Sequence, residues 1–272
     1  MVRFEGNGLH TNKHCTVLVE KSDNFKLYLN NILVTKKLYD LVKPQPLCTK
    51  LEYNDKTVLT VEHLFSVLSA LKLYNISIKM FSDTNIFEMP ILDGSAKHIY
   101  DKLYKLKYEY AKPLMAKEFI TTHNDSYIKY IPNVSTLDNL NIDITVEYEN
   151  IGKLRYIYDD GLINSFELIY DAPTFCYKRD IEKMQSNGLA LGGSEDNALI
   201  INDDGSFYNM KHLDKTALVK HKCLDQLGDF YLLGAPIKGS IISYKPSHYL
   251  NQLFVKDFIK NLDNELYWWY NL

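Results

Sequence analysis

The order of apolar and polar positions predicts strands and helices along the first part of the chain. Segments that alternate with the two-residue period of half-buried strands are 16–19, 25–29, 32–34 and 76–80. Apolar side chains recur at helical spacing between residues 60 and 73, which predicts an amphipathic helix with Thr60 as its N-cap. A second helix is predicted at 96–106.

The second part of the chain repeats this succession of strands and helices. The predicted strands are 119–121, 127–131, 142–148 and 197–201, and the predicted helices are 179–186 and 216–233. Lys112-Pro113 separates the two parts, so we expect an N-terminal domain at 1–111 and a C-terminal domain at 112–272. The predicted fold class is α+β, with two similarly built domains that each combine a β-sheet with helices.

The composition is that of a folded protein and argues against nucleic-acid binding. Hydrophobic residues make up 46% of the 272 positions and charged residues 24%. Because 31 Lys and Arg residues face 34 Asp and Glu residues, the net charge is −3, without the basic excess typical of a nucleic-acid binder. No apolar run is long enough to span a membrane, and the start lacks the apolar core of a signal peptide, so we expect a cytoplasmic protein.

The predicted helix at 216–233 carries side chains that can bind a cation. His221 and Asp225 are four residues apart, which places them on one helix face with Cβ atoms about 5–6 Å apart. An imidazole and a carboxylate at this spacing can hold one metal ion, and Asp229 continues the same face one turn further. The alternative is a solvated helix face that carries a His–Asp pair.

Two further segments contain residues suited to hydrolytic chemistry. Glu62 and His63 offer a carboxylate base beside a third metal ligand, as a catalytic zinc site requires. Alternatively, Glu62 only stabilises the helix N-terminus through the helix dipole, and His63 is exposed. His248 can protonate a leaving amine if it faces the metal, and is otherwise a surface residue.

Short motifs follow one another in a fixed order along nearly the whole chain. In the first half they are Gly6-x-Gly8-Leu9-His10-Thr11, Leu47-Cys48-Thr49, Thr60-Val61-Glu62-His63-Leu64 and Glu88-Met89-Pro90-Ile91-Leu92-Asp93-Gly94-Ser95-Ala96. In the second half they are Thr174-Phe175, Arg179-Asp180-Ile181-Glu182, Gly188-Leu189-Ala190-Leu191-Gly192-Gly193-Ser194, Asp196-Asn197-Ala198, His221-Lys222-x-Leu224-Asp225-x-x-Gly228-Asp229 and Tyr244-Lys245-x-x-His248. Together they resemble the UDP-3-O-acyl-N-acetylglucosamine deacetylases of lipid A biosynthesis.

This resemblance implies a metal-dependent amide hydrolase and gives roles to the residues named above. The residues that match the family's metal ligands are His63, His221 and Asp225. The family's metal is normally Zn²⁺, although Fe²⁺ also suits two histidines and one carboxylate. Glu62 matches the general base that deprotonates the attacking water. His248 matches the protonated group that stabilises the oxyanion and protonates the departing amine, and Asp229 matches the carboxylate that orients it.

The resemblance also implies where the substrate lies. Thr174 matches a hydroxyl that helps to hold the tetrahedral oxyanion. Phe175 and Lys222 match contacts to the sugar and to the polar head, while Leu47 and Cys48 lie on a loop that borders the site. In the family, helices of two α+β domains pack between two outer sheets, and an insert in the second domain forms an apolar passage for the acyl chain. We expect this insert at 149–170.

The expected reaction is hydrolysis of the N-acetyl group of UDP-3-O-(3-hydroxyacyl)-N-acetylglucosamine, which gives UDP-3-O-(3-hydroxyacyl)-glucosamine and acetate in the committed step of lipid A biosynthesis. The expected partner is this UDP-linked substrate, and we expect a monomer that can touch a membrane surface transiently. The alternative is a catalytically silent homologue that acts as a metal- or partner-binding module.

Three departures from the family pattern bear on the substrate, and those near the substrate contacts motivate that alternative. Asn12 replaces a glycine, although asparagine tolerates a positive φ. Pro173 replaces an arginine, and Ile131 stands where a substrate-binding lysine is expected, with Lys129 as the nearest substitute. These changes bear on substrate affinity more than on metal binding.

Overall fold

Fifteen strands and six α-helices form within residues 1–106, 111–133 and 138–262, which the computed structural model describes. The strands are β1 Val2–Asn7, β2 His14–Lys21, β3 Lys26–Leu29, β4 Ile32–Leu33, β5 Lys50–Tyr53, β6 Lys56–Leu59, β7 Ile76–Phe81, β8 Ile86–Glu88, β9 Phe119–His123, β10 Ser126–Ile131, β11 Leu140–Tyr148, β12 Gly152–Asp159, β13 Phe175–Tyr177, β14 Leu199–Ile201 and β15 Gly239–Tyr244. The helices are α1 Leu38–Leu41, α2 Glu62–Ala70, α3 Lys97–Leu103, α4 Ile181–Ser186, α5 Thr216–Phe230 and α6 His248–Lys260.

Two five-stranded sheets have the same topology. The first runs β1-β2-β7-β3-β4 and the second runs β9-β10-β15-β11-β12, so in each sheet the last strand lies between the second and the third. In each sheet that last strand is parallel to the third, β7 with β3 and β15 with β11, and all other neighbours are antiparallel. This repetition confirms the predicted α+β class with two similarly built halves.

The long helices pack between the two five-stranded sheets. Helix α2 from the first half packs directly on α5 from the second, while α5 contacts β11 and β12 and α6 contacts β9 and β10. One hydrophobic core joins Val17 and Ile78 of the first sheet, Leu64 and Leu227 of the packed helices, and Ile144 of the second sheet. The arrangement is the one that the family resemblance implied.

Two smaller sheets lead into the elements that carry the site. Strands β5, β6 and β8 form a three-stranded sheet, and β6 ends three residues before α2 begins. Strands β13 and β14 pair in parallel with α4 between them, and β13 starts directly after Thr174. The predicted insert at 149–170 contains β12, which is an edge strand of the second five-stranded sheet.

The start of α2 differs from the sequence prediction. The N-cap is Val61, which makes no side-chain capping bond, so the expectation of Thr60 as N-cap is wrong. The Thr60 hydroxyl instead donates to Glu88, 28 residues further along, at 2.9 Å. Its backbone takes the left-handed region with φ +57°, which is unfavourable for a β-branched residue. A tertiary hydrogen bond thus replaces the local cap.

Candidate active site

Three buried side chains from α2 and α5 converge on one point. Candidate ligand atoms of His63, His221 and Asp225 all lie within 4.8 Å of one another. Oδ1 of Asp225 is 3.4 Å from Nε2 of His221 and 3.8 Å from Nε2 of His63. Because α2 carries one of these residues and α5 the other two, the packing of the two helices assembles the cluster.

The donor set fits a divalent cation. Oδ1 of Asp225 is buried without a hydrogen-bond partner, an unfavourable state that a cation would relieve. Nδ1 of His221 donates to the carbonyl of Ala172 at 3.0 Å, which leaves the lone pair of Nε2 facing Asp225. Burial lowers the pKa of His63 to about 3 and also lowers that of His221, so both imidazoles are neutral and able to ligate.

Lys222 and Phe175 flank the cluster. The ammonium of Lys222 donates to Oδ2 of Asp225 at 2.8 Å. Burial lowers the pKa of Lys222, but Asp225 together with Tyr148 and Asp229 raises it overall. The same ammonium lies 5.6 Å from the centre of the Phe175 ring, which in turn meets the ring of His221 edge-on. Both predicted substrate contacts are therefore next to the metal-ligand candidates.

His248 is the first residue of α6 and faces the same point. Its Nδ1 is 2.8 Å from Oδ2 of Asp229, and its Nε2 is 3.6 Å from Asp225 and 3.8 Å from Glu62. Burial alone would lower the pKa of His248, but the carboxylates of Asp229, Asp225 and Glu62 raise it to about 9. The imidazole is thus held in its protonated form near neutral pH.

Asp229 is fixed by two residues that received no role in the sequence interpretation. The hydroxyl of Thr49 donates to its Oδ1, and the amide of Asn251 donates to its Oδ2 at 2.8 Å. Thr49 stands in a quoted motif but is 180 residues from Asp229, and Asn251 is 22 residues away. No local pattern could have linked them, because the contacts depend on how the two halves pack.

Glu62 is the first residue of α2 and lines the same pocket. Its Oε2 accepts a hydrogen bond from the backbone of Thr49 at 3.1 Å. Burial raises the pKa of Glu62 to about 7, with Asp225 adding to the shift and His248 opposing it. A Cβ on Gly228 would lie 2.0 Å from the carbonyl oxygen of Glu62, so this glycine lets α5 approach α2 closely.

The pocket beside the cluster has a volume of about 130 Å³. Leu47 and Thr174 line it together with the cluster residues, and the backbone of Thr174 is held by the carbonyl of Gly94 at 2.8 Å. Cys48 is buried beneath the loop, where its sulfur accepts from Gln45 at 2.9 Å, and it lines neither this pocket nor the one next to it. The structure therefore brings Leu47 to the pocket but not the side chain of Cys48.

An apolar cavity of about 280 Å³ adjoins the first pocket. The two share Leu9, Leu47, Thr174 and Phe175 as walls. The other apolar side chains that line the cavity are Ile181, Met184, Ala190, Ala198 and Ile200. These five residues belong to α4, β14 and the connection between them, and no residue of 149–170 is among the lining residues.

The three departures have distinct structural settings. Asn12 has φ +52° and accepts from the side chain of Asn7 at 3.0 Å, so the turn forms without the family's glycine. Pro173 is buried directly before Thr174. Lys129 pairs with Glu118 at 2.7 Å and, like Ile131, lines neither cavity described above, so it does not replace the expected lysine there.

The comparison with known families assigns the chain. The UDP-3-O-acyl N-acetylglycosamine deacetylase family matches over residues 1–260. The chain belongs to this family. A UDP-3-O-acyl-N-acetylglucosamine deacetylase of Aquifex aeolicus is 29% identical, over 94% of this chain and 90% of that protein. The enzymes of the same name from Histophilus somni and Campylobacter fetus are 32% and 37% identical, over 96% and 73% of this chain and 88% and 67% of their own lengths. The family predicted from the motifs is thereby confirmed.

Proposed function

We propose that the chain removes the N-acetyl group of UDP-3-O-(3-hydroxyacyl)-N-acetylglucosamine, with release of acetate, in the lipid A pathway. The observation that carries this proposal is the convergence of a His–His–Asp cluster, a buried carboxylate and a buried protonated imidazole on one pocket. The family assignment supplies the substrate class. The comparisons give no support to the alternative of a catalytically silent homologue.

We propose that Nε2 of His63, Nε2 of His221 and Oδ1 of Asp225 hold one Zn²⁺ ion, with Fe²⁺ as an ion that the same ligands suit. The fit rests on the unpartnered carboxylate oxygen and on the two neutral imidazoles. When bound, such a cation acts as a Lewis acid that favours deprotonation of water and polarises the amide carbonyl.

The residues around the cluster provide the proton transfers. Glu62 takes a proton from the attacking water, for which a pKa of about 7 is well matched to neutral pH. The water oxygen forms a bond to the acetyl carbon, and Thr174 and His248 stabilise the oxyanion. His248 then gives the proton on Nε2 to the amine as the C–N bond breaks, and Asp229 holds the imidazole in position through Nδ1.

The two adjoining cavities suggest how the substrate is held. Lys222 and Phe175 contact the polar head and the sugar beside the cluster, and Leu47 borders them. We place the acyl chain in the apolar cavity of about 280 Å³ between β13, α4 and β14. This assignment moves the acyl passage from the expected insert at 149–170 to residues 174–200. In this proposal Cys48 does not contact the substrate and only supports the loop that carries Leu47.

The remaining expectations stay as proposals. We retain a domain boundary at 111/112, a cytoplasmic location, a monomeric state and transient contact with a membrane surface. None of the helices described is both long and apolar enough to cross a membrane. The near-neutral charge keeps nucleic acid outside the proposed partners.

Product analysis with paired substrates tests the proposed function. The purified protein is incubated with the 3-O-acylated UDP-N-acetylglucosamine and, separately, with UDP-N-acetylglucosamine that lacks the acyl chain. Mass spectrometry should show loss of one acetyl group from the acylated compound and much slower loss from the other. Equal rates on both compounds would contradict the acyl cavity, and no reaction on either would contradict the deacetylase function.

A further inference from the structure

Glu88 is a buried carboxylate that the proposed chemistry leaves without a role. It is the last residue of β8, is 1% exposed and accepts four hydrogen bonds from two separate segments. Its Oε1 accepts from the backbone of His10 at 2.7 Å and from the hydroxyl of Thr60 at 2.9 Å. Its Oε2 accepts from the backbone and the hydroxyl of Thr11 at 2.8 and 2.6 Å.

One of these segments leads into the catalytic helix. Thr60 lies two residues before Glu62 and three before His63. It lines the pocket of about 130 Å³ beside the cluster, called the metal-side pocket below. Its left-handed backbone is unfavourable for a threonine, so the turn from β6 into α2 depends on contacts outside itself. The bond to Glu88 supplies one such contact, and a backbone bond from Thr60 to Thr49 supplies another.

The other segment forms a wall of the apolar cavity. Leu9 and His10 line that cavity, and Leu9 also lines the metal-side pocket. The turn that carries them fits around the carboxylate of Glu88, because a Cβ on Gly8 would lie only 2.1 Å from Oε2. Every group that reaches Glu88 is a donor, and an ionised carboxylate can accept all four bonds whereas an amide cannot.

We propose that Glu88 is a positioning residue. It fixes the start of α2, and with it Glu62 and His63, relative to the wall of the acyl cavity that Leu9 and His10 form. The proposal rests on the proposed function, because the position of the metal-ligand cluster relative to the acyl cavity matters for a substrate that occupies both cavities at once. The hydrogen bonds of Glu88 form two arms, one to Thr60 and one to His10 and Thr11. The arm to Thr60 positions the metal ligand His63 and the base Glu62. The other acts through Thr11 and His10 on the binding of the acyl chain.

Separate variants of the two arms test this proposal. Thr60→Val keeps the shape but removes the hydroxyl, and should weaken metal binding and lower kcat with little change in KM. Thr11→Val should raise KM with little change in kcat. Glu88→Gln should combine these effects, with weaker metal binding, a lower kcat and a higher KM. The expected fall in kcat/KM is roughly 10- to 100-fold, the range for a lost hydrogen bond to a charged group. Thr60→Ser, which retains the hydroxyl, should restore kcat and metal affinity.

A buried carboxylate elsewhere provides the matched control. Asp160 accepts from the backbone of Leu140 at 2.7 Å and pairs with Lys72, just beyond the end of α2 that is remote from Glu62. Asp160 lines neither cavity, so Asp160→Asn should lower the thermal stability and leave metal affinity, kcat and KM unchanged. Metal affinity is measured by competition with a chelator, and the ligand geometry by the absorption of the cobalt(II) form. These readouts do not require turnover, so they remain informative if the parent protein proves inactive and the proposed function fails.

The outcomes separate a positioning role from a structural one. Unchanged metal affinity, cobalt spectrum, kcat and KM in Glu88→Gln, with a loss of stability like that of Asp160→Asn, would overturn the proposal. If Glu88→Gln does not fold, the Thr60→Val and Thr60→Ser pair gives the answer. Equal metal affinity and equal kcat in those two variants would also overturn it.

Discussion

Replacing Asp229 by asparagine tests how the pocket keeps His248 protonated. In the parent protein, three carboxylates hold the pKa of His248 at about 9 against the opposing effect of burial. Asp229 is the first of these in size and the one in direct contact, at 2.8 Å from Nδ1. Without its charge, the largest contribution that raises the pKa of His248 is lost, so this pKa should fall toward its ordinary value of 6.5.

The size of the effect follows from the protonated fraction. Because the proposed role of His248 is that of an acid, activity should be lost as the pH rises through its pKa, so a lower pKa should move the alkaline limb to lower pH. At pH 8, a pKa of about 9 leaves about 90% of the imidazole protonated, whereas a pKa of about 6.5 leaves about 3%. A fall of the pKa all the way to 6.5 would therefore lower kcat/KM at pH 8 about 30-fold from protonation alone, which is the upper size of the expected loss. A bound cation lowers the pKa in parent and variant alike, so the prediction concerns the difference between them.

The assay is the pH profile of kcat/KM, compared with the profile of Asp257→Asn. Asp257 is also a carboxylate that accepts from a threonine hydroxyl, but it lies on the α6 face toward Thr121 and should leave the alkaline limb unchanged. Circular dichroism should show that both variants are folded. An Asp229→Asn protein whose alkaline limb coincides with that of the parent would refute the assigned source of the raised pKa.

Three further predictions concern the base, the metal ligands and the acyl cavity. Glu62→Gln should retain the metal but lose about 10²–10⁴-fold in kcat, and a metal-loaded Glu62→Gln protein with parental turnover would contradict the role of base. In the parent, activity should fall as the pH drops below the pKa of Glu62, about 7. His221→Ala should lose bound metal along with activity, which elemental analysis of the purified variant checks, and full occupancy would contradict the ligand assignment. Ile200→Trp, which fills the apolar cavity, should shift preference toward shorter acyl chains in competition assays, whereas an unchanged preference would place the chain elsewhere.

The sequence could predict those parts of the fold and site that are written in local patterns or motifs. Helical spacing located α2 and α5, and the i,i+4 spacing of His221 and Asp225 placed both on the pocket side of α5. The motif resemblance supplied His63, Glu62 and His248 as further site residues. The packing of α2 and α6 on α5 brings His63 and His248 within 4 Å of Asp225, and Glu62 within 4 Å of His248. These features are set by periodicity or by short segments.

The features that could not be predicted depend on contacts between distant segments. Thr60 has the composition and place of an N-cap, but its hydroxyl is taken by Glu88. Thr49 and Asn251 fix Asp229 only after the two halves of the chain have packed. The family resemblance implied an acyl passage at 149–170, and the apolar cavity of about 280 Å³ on which we base our proposal is lined by segments outside that stretch.

We propose that the release of acetate requires a cation bound to the His–His–Asp cluster. The most direct measurement is acetate release from UDP-3-O-(3-hydroxymyristoyl)-N-acetylglucosamine, before chelation, after chelation and after return of Zn²⁺. We expect chelation to abolish turnover and about one equivalent of Zn²⁺ to restore it, as one three-ligand site requires. Turnover that persists after the metal has been removed would contradict the claim, as would a protein that binds one equivalent tightly and releases no acetate.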